Sequence, residues 1–357
     1  MTLRIGFAGC GFIAQIHAFA LGELAKAQLI DAAIVATFDP EHERAEKLAA
    51  SYGARATPDV DELLDAVDAV WVCTWTSSHL PVVRAAVARG LAVMCEKPLA
   101  PTLEECEQVA ALLVTVPHQV GLVLRHAPVF RAAAEIVASG AHGRPLAAIF
   151  RDDQFFPIQG MYGSEWRADA SKAGGGTLLE HSIHDVDVLR WILGDPERVT
   201  ARVANRFGHR GIDDVAEVTF DLADGGVATL VSVWHRILRR PSTRRLEIFC
   251  EDALLWADDD NLGPLHVETA DAEHDVEPPL PEWAERLALA PEIARPLLQY
   301  ATPAKAFVDA LAAGTPPAPD AAVALAAHRL VDAAYRSAAA GSMPIEVARP
   351  PSVPPPR

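Results

Sequence analysis

The chain has 357 residues; 50% are hydrophobic, 22% are charged, and the formal net charge is -17. That length suggests two domains, and the composition is that of a globular protein. The acidic balance excludes nucleic acid and anionic membrane as partners, since both need a basic face, and no apolar run approaches the ~20 residues of a membrane helix.

Met1-Thr2-Leu3-Arg4 leads straight into a strand, with no apolar secretory segment before it. The five cysteines (Cys10, Cys73, Cys95, Cys106 and Cys250) form no C-x-x-C pair. They read as reduced, buried small hydrophobes in a cytoplasmic protein.

Arg4 to Ala8 reads as a buried strand, followed by Gly9-Cys10-Gly11-Phe12-Ile13-Ala14 and a helix to about Lys26. This is G-x-G-x-x-A between a strand and a helix, the context the dinucleotide fingerprint requires. Gly9 permits the tight turn, and Gly11 lets a pyrophosphate approach the backbone at Gly11, Phe12 and Ile13. A second strand, Ala33 to Phe38, ends at Asp39. A carboxylate there accepts both ribose hydroxyls and repels a 2′-phosphate, which predicts NAD over NADP. The alternative for Asp39 is an N-cap on a helix from Glu41 to Tyr52.

Helix and strand alternate onward: a helix over Asp59–Leu64, a strand over Ala69–Cys73, a helix over Leu80–Arg89, and a strand from Leu91 to Met94. A helix from Leu103 and a strand over Val120–Leu124 follow, which implies a parallel doubly wound sheet. Cys95-Glu96-Lys97-Pro98 closes the fourth of these strands. A charged pair there is costly for stability unless compensated, and ligands of open α/β sheets bind beyond the carboxyl ends of the strands. Lys97 is therefore either a ligand-facing ammonium on a turn stiffened by Pro98 or half of a solvated ion pair with Glu96.

After Leu124 come a helix to Ala138 and a strand over Pro145–Arg151. An aperiodic stretch from Phe155 to Ser171 then holds Tyr162, Ser164, Trp166 and Arg167. Loops of this kind carry function. Gly174-Gly175-Gly176 precede a helix running to about Leu193. Leu179, Ile183, Val186, Leu189 and Leu193 form its apolar stripe, and Glu180, His184, Asp187 and Trp191 the adjacent polar one. That polar stripe is a solvated face, a His-Asp pair that merely satisfies itself, or a catalytic face. A metal site at His181, His184 and Asp185 is not expected, because their spacing puts only two of the three on one face. Successive strands, Val199–Phe207, Val215–Leu222, Val227–His235, Arg244–Cys250 and Ala253–Trp256, imply an antiparallel sheet. Asp258 to Pro281 reads as an acidic, exposed excursion, and Ala304–Ala313 and Ala321–Ala340 as helices.

Together, G-x-G-x-x-A, Asp39, Thr74 to His79 and Glu96-Lys97-Pro98 resemble the Gfo/Idh/MocA oxidoreductases, as does the G-G-G segment with His184 and Asp187. The Thr74 loop is similar to the family's T-P-N-x-x-H, with Trp75 for proline and Thr76 for asparagine. Glu180 stands where the family has aspartate. The resemblance implies a Rossmann domain over 1–124 and an α+β substrate domain with a large, mostly antiparallel sheet over 125–345; the proline-rich end reads as a disordered tail over 346–357. It implies NAD held by Gly9, Gly11, Phe12, Ile13, Asp39, Thr74, Trp75, His79 and Glu96, and a Lys97–Pro98 bond that is often cis. It further implies a secondary hydroxyl of a sugar or cyclitol as substrate, with His184 as acid/base, Lys97 stabilising the alkoxide and Glu180 orienting a neighbouring hydroxyl. Tyr162, Trp166 and Arg167 are further substrate contacts. The implied cleft lies between the two domains, and the implied assembly is a homodimer or homotetramer through the second sheet. Three alternatives stay open on this fold: an NAD-dependent glycosidase, a reductase of other carbonyls such as biliverdin reductase, and a non-catalytic NAD or sugar sensor.

Overall fold

The computed structural model of the protein describes residues 2–240, 242–259 and 263–347. The chain forms two compact units. The first takes the residues up to Pro128, then Asp169–Gly174 and Pro279–Leu325; the second takes Val129–Ala168, Gly175–Pro278 and the residues from Ala326 on. Neither unit is a single stretch of sequence, whereas the sequence pattern predicts one boundary after Leu124. Of the tail expected to be disordered, residues 348–357 lie outside the described residues.

The first unit is built on a parallel sheet of six strands: β1 (Leu3–Ala8), β2 (Ala32–Phe38), β3 (Arg55–Ala56), β4 (Ala69–Val72), β5 (Ala92–Cys95) and β6 (His118–Val120). Their spatial order, β3-β2-β1-β4-β5-β6, is that of a doubly wound sheet with its reversal between β1 and β4. β4 and β5 are buried along their whole length, as strands covered on both faces must be. The final strand of this sheet is displaced from its predicted span, because Val123–His126 turns into a 3-10 helix instead of extending. The predicted helix over Ala304–Ala313 begins much earlier, at Pro291. Pro296 and Pro303 lie inside it and mask its helical signal, yet Leu298, Ala301, Ala304 and Phe307 all turn into the core. Phe307 meets Trp71 of β4 edge-on, with ring centroids 5.0 Å apart.

The second unit carries a nine-stranded sheet: β7 (Pro145–Phe155), β8 (Pro196–Ala204), β9 (Val215–Leu222), β10 (Val227–His235), β11 (Thr243–Cys250), β12 (Ala253–Ala257), β13 (Leu265–Thr269), β14 (Glu273–Val276) and β15 (Ile345–Glu346). Its order is β14-β13-β12-β11-β7-β10-β9-β8-β15, antiparallel except where β10 runs parallel to β7. The fold class expected from the sequence is borne out in both sheets. β13 and β14 replace the predicted excursion over Asp258–Pro281. Leu265 and Val267 bury one face of β13 in an acidic stretch too short to show a clear period. Along β10, Leu230, Ser232 and Trp234 are buried, while Thr229, Val231 and Val233 are half-exposed on the other side. The helix Ile183–Leu193 lies on the buried side, with Val186 and Leu189 close to Phe220 and Ala228.

Candidate active site

In the first unit, the backbone turn after β1 is set by Gly9. Its φ is +89°, and a Cβ there would lie 2.5 Å from the Cys73 carbonyl oxygen, so any side chain would part β1 from β4. The helix Phe12–Lys26 then starts at Gly11, which has no side-chain cap and open space where a Cβ would stand. Thr74 Oγ1, just past β4, is buried with no hydrogen-bond partner among the described residues. An uncapped helix start, an open approach to its backbone and an unsatisfied hydroxyl fit a dinucleotide pyrophosphate and its neighbouring ribose.

Asp39 is buried and holds the same turn. Its Oδ2 accepts the Cys10 amide at 2.8 Å and its Oδ1 the Glu41 amide at 2.8 Å. The N-cap alternative for Asp39 does not hold: the helix begins at His42, with Glu41 at the cap position. Each carboxylate oxygen keeps a further lone pair for a ribose hydroxyl. Burial, with Asp39 charge beside it, pushes the Cys10 thiol up to about 12.

Trp75 is half-buried, with Lys172 Nζ 4.1 Å from the centre of its ring. His79 lies inward. Its Nε2 is 3.2 Å from the Thr74 carbonyl, and burial lowers its pKa. It ties the Thr74 loop down, leaving Thr74, Trp75 and Thr76 at the sheet's carboxyl edge.

The Lys97–Pro98 bond is cis. Glu96 is buried rather than solvated, so the picture of an exposed strand-end ion pair is corrected. Its Oε1 meets His17 Nε2 at 2.8 Å, and its Oε2 accepts the Lys97 amide at 3.2 Å. Burial acts to raise this carboxyl, but the His17 hydrogen bond and charge, with Lys97, outweigh it and hold it below its usual range. A Cβ at Gly121 would collide with the same carboxylate. His17 and Gly121 were not readable as partners of Glu96. The available signal was a histidine set among the buried Ala14, Ala18 and Leu21 on the inner face of its helix.

In the second unit, the predicted helix from the glycines to Leu193 is not regular. Thr177–His181 forms a π turn, and the α-helix runs from Ile183. The Ser182 amide reaches the Thr177 carbonyl at 2.8 Å. Tertiary bonds hold that turn open: Thr177 Oγ1 and Ser182 Oγ both meet Ser232 Oγ, at 2.7 and 2.6 Å, and Ser182 donates to Asp152 at 2.8 Å. Asp213 anchors the start, accepting from the Gly176 and Leu178 amides and the Tyr335 hydroxyl at 2.7, 2.9 and 2.8 Å. Any side chain at Gly176 would strike the Asp213 backbone. Burial raises the Asp213 carboxyl, and burial beside Asp213 raises the Tyr335 hydroxyl well above its ordinary value.

Glu180, His184 and Asp187 are all buried, which rules out the solvated-face alternative. Arg167 Nε lies 3.4 Å from Glu180 Oε2, and its guanidinium stacks 4.3 Å from the Trp166 ring centre. Tyr162 packs on Phe155 at 5.2 Å. The structure thus brings Glu180, Arg167 and Trp166 together. Beneath the π turn, Arg244 donates to Asp185 at 2.7 Å, Asp152 lies 3.1 Å from His181, and Arg244 approaches Asp152 at 3.6 Å. His181 and Asp185 therefore serve an ion network. Among the described residues, no group of three or more His, Cys, Asp or Glu gathers to hold a metal, and no helix is long and apolar enough to cross a membrane.

Two family models match in sequence order. One, described as an oxidoreductase family with an NAD-binding Rossmann fold, covers residues 3–122; the other, the GFO/IDH/MocA C-terminal domain, covers 130–255. An inositol 2-dehydrogenase of Rhizobium meliloti (strain 1021) is 30% identical over 95% of this chain and 98% of its own length.

The chain belongs to the Gfo/Idh/MocA oxidoreductases.

Other relatives agree. A 1,5-anhydro-D-fructose reductase of Ensifer adhaerens is 34% identical over 51% of the chain and 56% of its own length. An oxidoreductase domain protein from Kribbella flavida superposes with a TM-score of 0.86 at 25% identity, covering 98% of this chain and 100% of its own. A levoglucosan dehydrogenase in complex with NADH shares the fold at a TM-score of 0.85 and 22% identity, over 98% of this chain and 100% of its own. This Gfo/Idh/MocA protein is an oxidoreductase with NAD as its cofactor.

One guanidinium serving two buried carboxylates has a consequence for stability. Burial, with Asp152 adding negative charge against the pull of Arg244, pushes Asp185 up to about 7. A raised acid stabilises the fold fully below its unfolded value, and that contribution is lost as pH rises through the folded value. The window is therefore about pH 4 to 7. Asp185→Asn removes the titration, so its melting temperature relative to the wild type should climb across that window, as followed by scanning calorimetry. A difference that stays flat with pH would show Asp185 to be ionised throughout.

Proposed function

We propose that this protein is an NAD-dependent dehydrogenase that oxidises, or in reverse reduces, a secondary hydroxyl of a sugar, sugar derivative or cyclitol. The observation that carries the reading is a pair of buried polar residues, Glu180 and His184, one turn apart on an element whose other face is apolar. It stands in a chain whose full-length relative is named an inositol 2-dehydrogenase. A buried carboxylate and a buried imidazole one turn apart are what hydroxyl recognition and proton transfer require.

His184 takes the hydroxyl proton as general base and returns it in the reverse direction. Lys97 donates a hydrogen bond to the same oxygen and stabilises the charge that develops there. Glu180, held by Arg167, accepts a hydrogen bond from an adjacent hydroxyl. Trp166 and Tyr162 present ring faces and edges to the carbon skeleton. When bound, NAD supplies the hydride acceptor. The amides at Gly11, Phe12 and Ile13 face its pyrophosphate, Asp39 its ribose, and Thr74 and Trp75 its nicotinamide end, with Gly9 shaping the turn. Following NADH absorbance against a panel of inositols, sugars and sugar acids tests the reaction, and a panel without turnover would leave a sensor.

Lys97→Met and His184→Asn should each lower turnover by roughly 10²–10⁴ with NAD affinity nearly intact. The double variant should lose far less than the product of the two, because the groups act as a unit. Full additivity in steady-state kinetics would separate Lys97 from the reacting oxygen.

Asp39 also sets cofactor choice. Its charge faces the ribose position, and the nearest downstream arginine, Arg44, is exposed and paired with Glu41 at 3.1 Å. NAD should bind more tightly than NADP by about 1–3 kcal/mol. Calorimetric titration giving equal affinities would remove Asp39 from the ribose.

The outer face of the nine-stranded sheet carries Ile149, Val227 and Phe249, each more than a third exposed, beside Val231 and Val233. An apolar sheet face of this kind is suited to a second copy, giving a homodimer or homotetramer. Sedimentation of a monomer at micromolar concentration would contradict this.

A further inference from the structure

We propose that His17 is a positioning residue for Lys97, acting through the Glu96 carboxylate. The inference rests on Lys97 serving the reacting oxygen as set out above.

His17 lies in the middle of the helix that opens the dinucleotide turn, 1% exposed, with Nε2 2.8 Å from Glu96 Oε1. A carboxylate only accepts hydrogen bonds, so Nε2 carries the proton. The opposite ring nitrogen, Nδ1, is buried with no partner among the described residues. The imidazole therefore makes one polar contact, and that contact is Glu96. Tyr300 closes over the ring edge-on, with centroids 5.4 Å apart, and keeps water from it.

Glu96 in turn grips the residue that matters. Its second oxygen takes the Lys97 amide, and its own amide is fixed to the Val72 carbonyl at 3.0 Å. Gly121 leaves the carboxylate room, and its amide bonds to the Cys95 carbonyl at 2.8 Å, closing the sheet edge around it. A buried polar pair of this kind adds little stability compared with a well-packed apolar pair. What it does supply is a fixed negative charge and a fixed backbone acceptor directly beneath Lys97.

Three further titratable groups face Glu96. His79, at the start of the helix after β4, has its pKa lowered by burial. Cys73 and Cys95, at the ends of β4 and β5, have theirs raised by burial. All three are neutral near pH 7. Without His17, the carboxyl loses the partner that most opposes burial, and its pKa rises. The protonated acid no longer balances Lys97, and activity returns only as rising pH ionises it.

The test compares His17→Leu, which cannot donate, with His17→Gln, which can. Turnover is followed by NADH absorbance from pH 6 to 10 with a polyol substrate found on the panel above. In parallel, NAD affinity is titrated, and the reactivity of Lys97 is measured by trace acetylation with acetic anhydride and mass spectrometry. His17→Leu should lower turnover at pH 7 by about 10- to 100-fold, recover toward high pH, and leave NAD affinity within about threefold. Acetylation of Lys97 at pH 7 should rise severalfold, because the amine has lost its negative neighbour. His17→Gln should restore both readouts. If His17→Leu does not fold, Glu96→Gln reads the same arrangement: turnover about tenfold or more below wild type at every pH, with no alkaline recovery. The inference is overturned if His17→Leu (or Glu96→Gln in its place) keeps the wild-type turnover and pH profile. It is also overturned if His17→Leu and His17→Gln lose turnover equally with an unchanged profile, which marks a packing role. Lys97→Met in the same assay separates the two levels. Full turnover in Lys97→Met defeats the role of Lys97 itself, whereas its loss beside an unaffected His17→Leu defeats only the role of His17.

Discussion

Burying a carboxylate without a partner costs several kcal/mol, on the order of a whole domain's stability, and the candidate residues of each unit are organised by how that cost is met. In the first unit, Glu96 is met by an imidazole and a main-chain amide. In the second, Asp213 is met by two amides and a phenol, while Asp152 and Asp185 share the guanidinium of Arg244. Glu96 directly precedes Lys97, and Asp185 directly follows His184. Three of the donors are main-chain amides, which have little freedom to move. Such sites are rigid because misplacing a donor would leave a buried charge exposed to nothing.

The first half of the site was legible because its signals are local. The glycines at positions 9 and 11, Asp39 at a strand end and the Glu-Lys-Pro turn each read from a few neighbouring residues, and the alternation of apolar strands and helices fixes the sheet around them. What could not be read depends on contacts across the chain. His17 and Glu96 are 79 residues apart, and Asp213 meets Gly176 from 37 residues away. No periodicity links such pairs. The π turn was hidden for the same reason: Ser232, on a strand, holds Thr177 and Ser182 in a spacing that the sequence reads as plain α-helix.

Errors in the fold have the same origin. Pro296 and Pro303 look like helix breakers, but tertiary packing of Leu298, Ala301 and Phe307 overrides them. The strand Leu265–Thr269 pairs antiparallel with Ala253–Ala257 on one side and Glu273–Val276 on the other, and with so few buried side chains the two outer strands form only because an edge is already there to pair with. Their acidic residues resemble those of solvated loops and give no local sign of pairing.

The helix Pro291–Ala313 also bears on how the protein is made. It covers Trp71 and Phe7 of the first sheet, yet it is encoded more than two hundred residues after them. A ribosome adding roughly 5–20 residues per second leaves that interval on the order of 10–50 s. During it the early strands can pair and the first helices can dock, but the part of the sheet's face that Leu298, Ala301 and Phe307 cover stays bare. The nascent chain is therefore exposed to chaperones and to self-association longest at a surface that later becomes core.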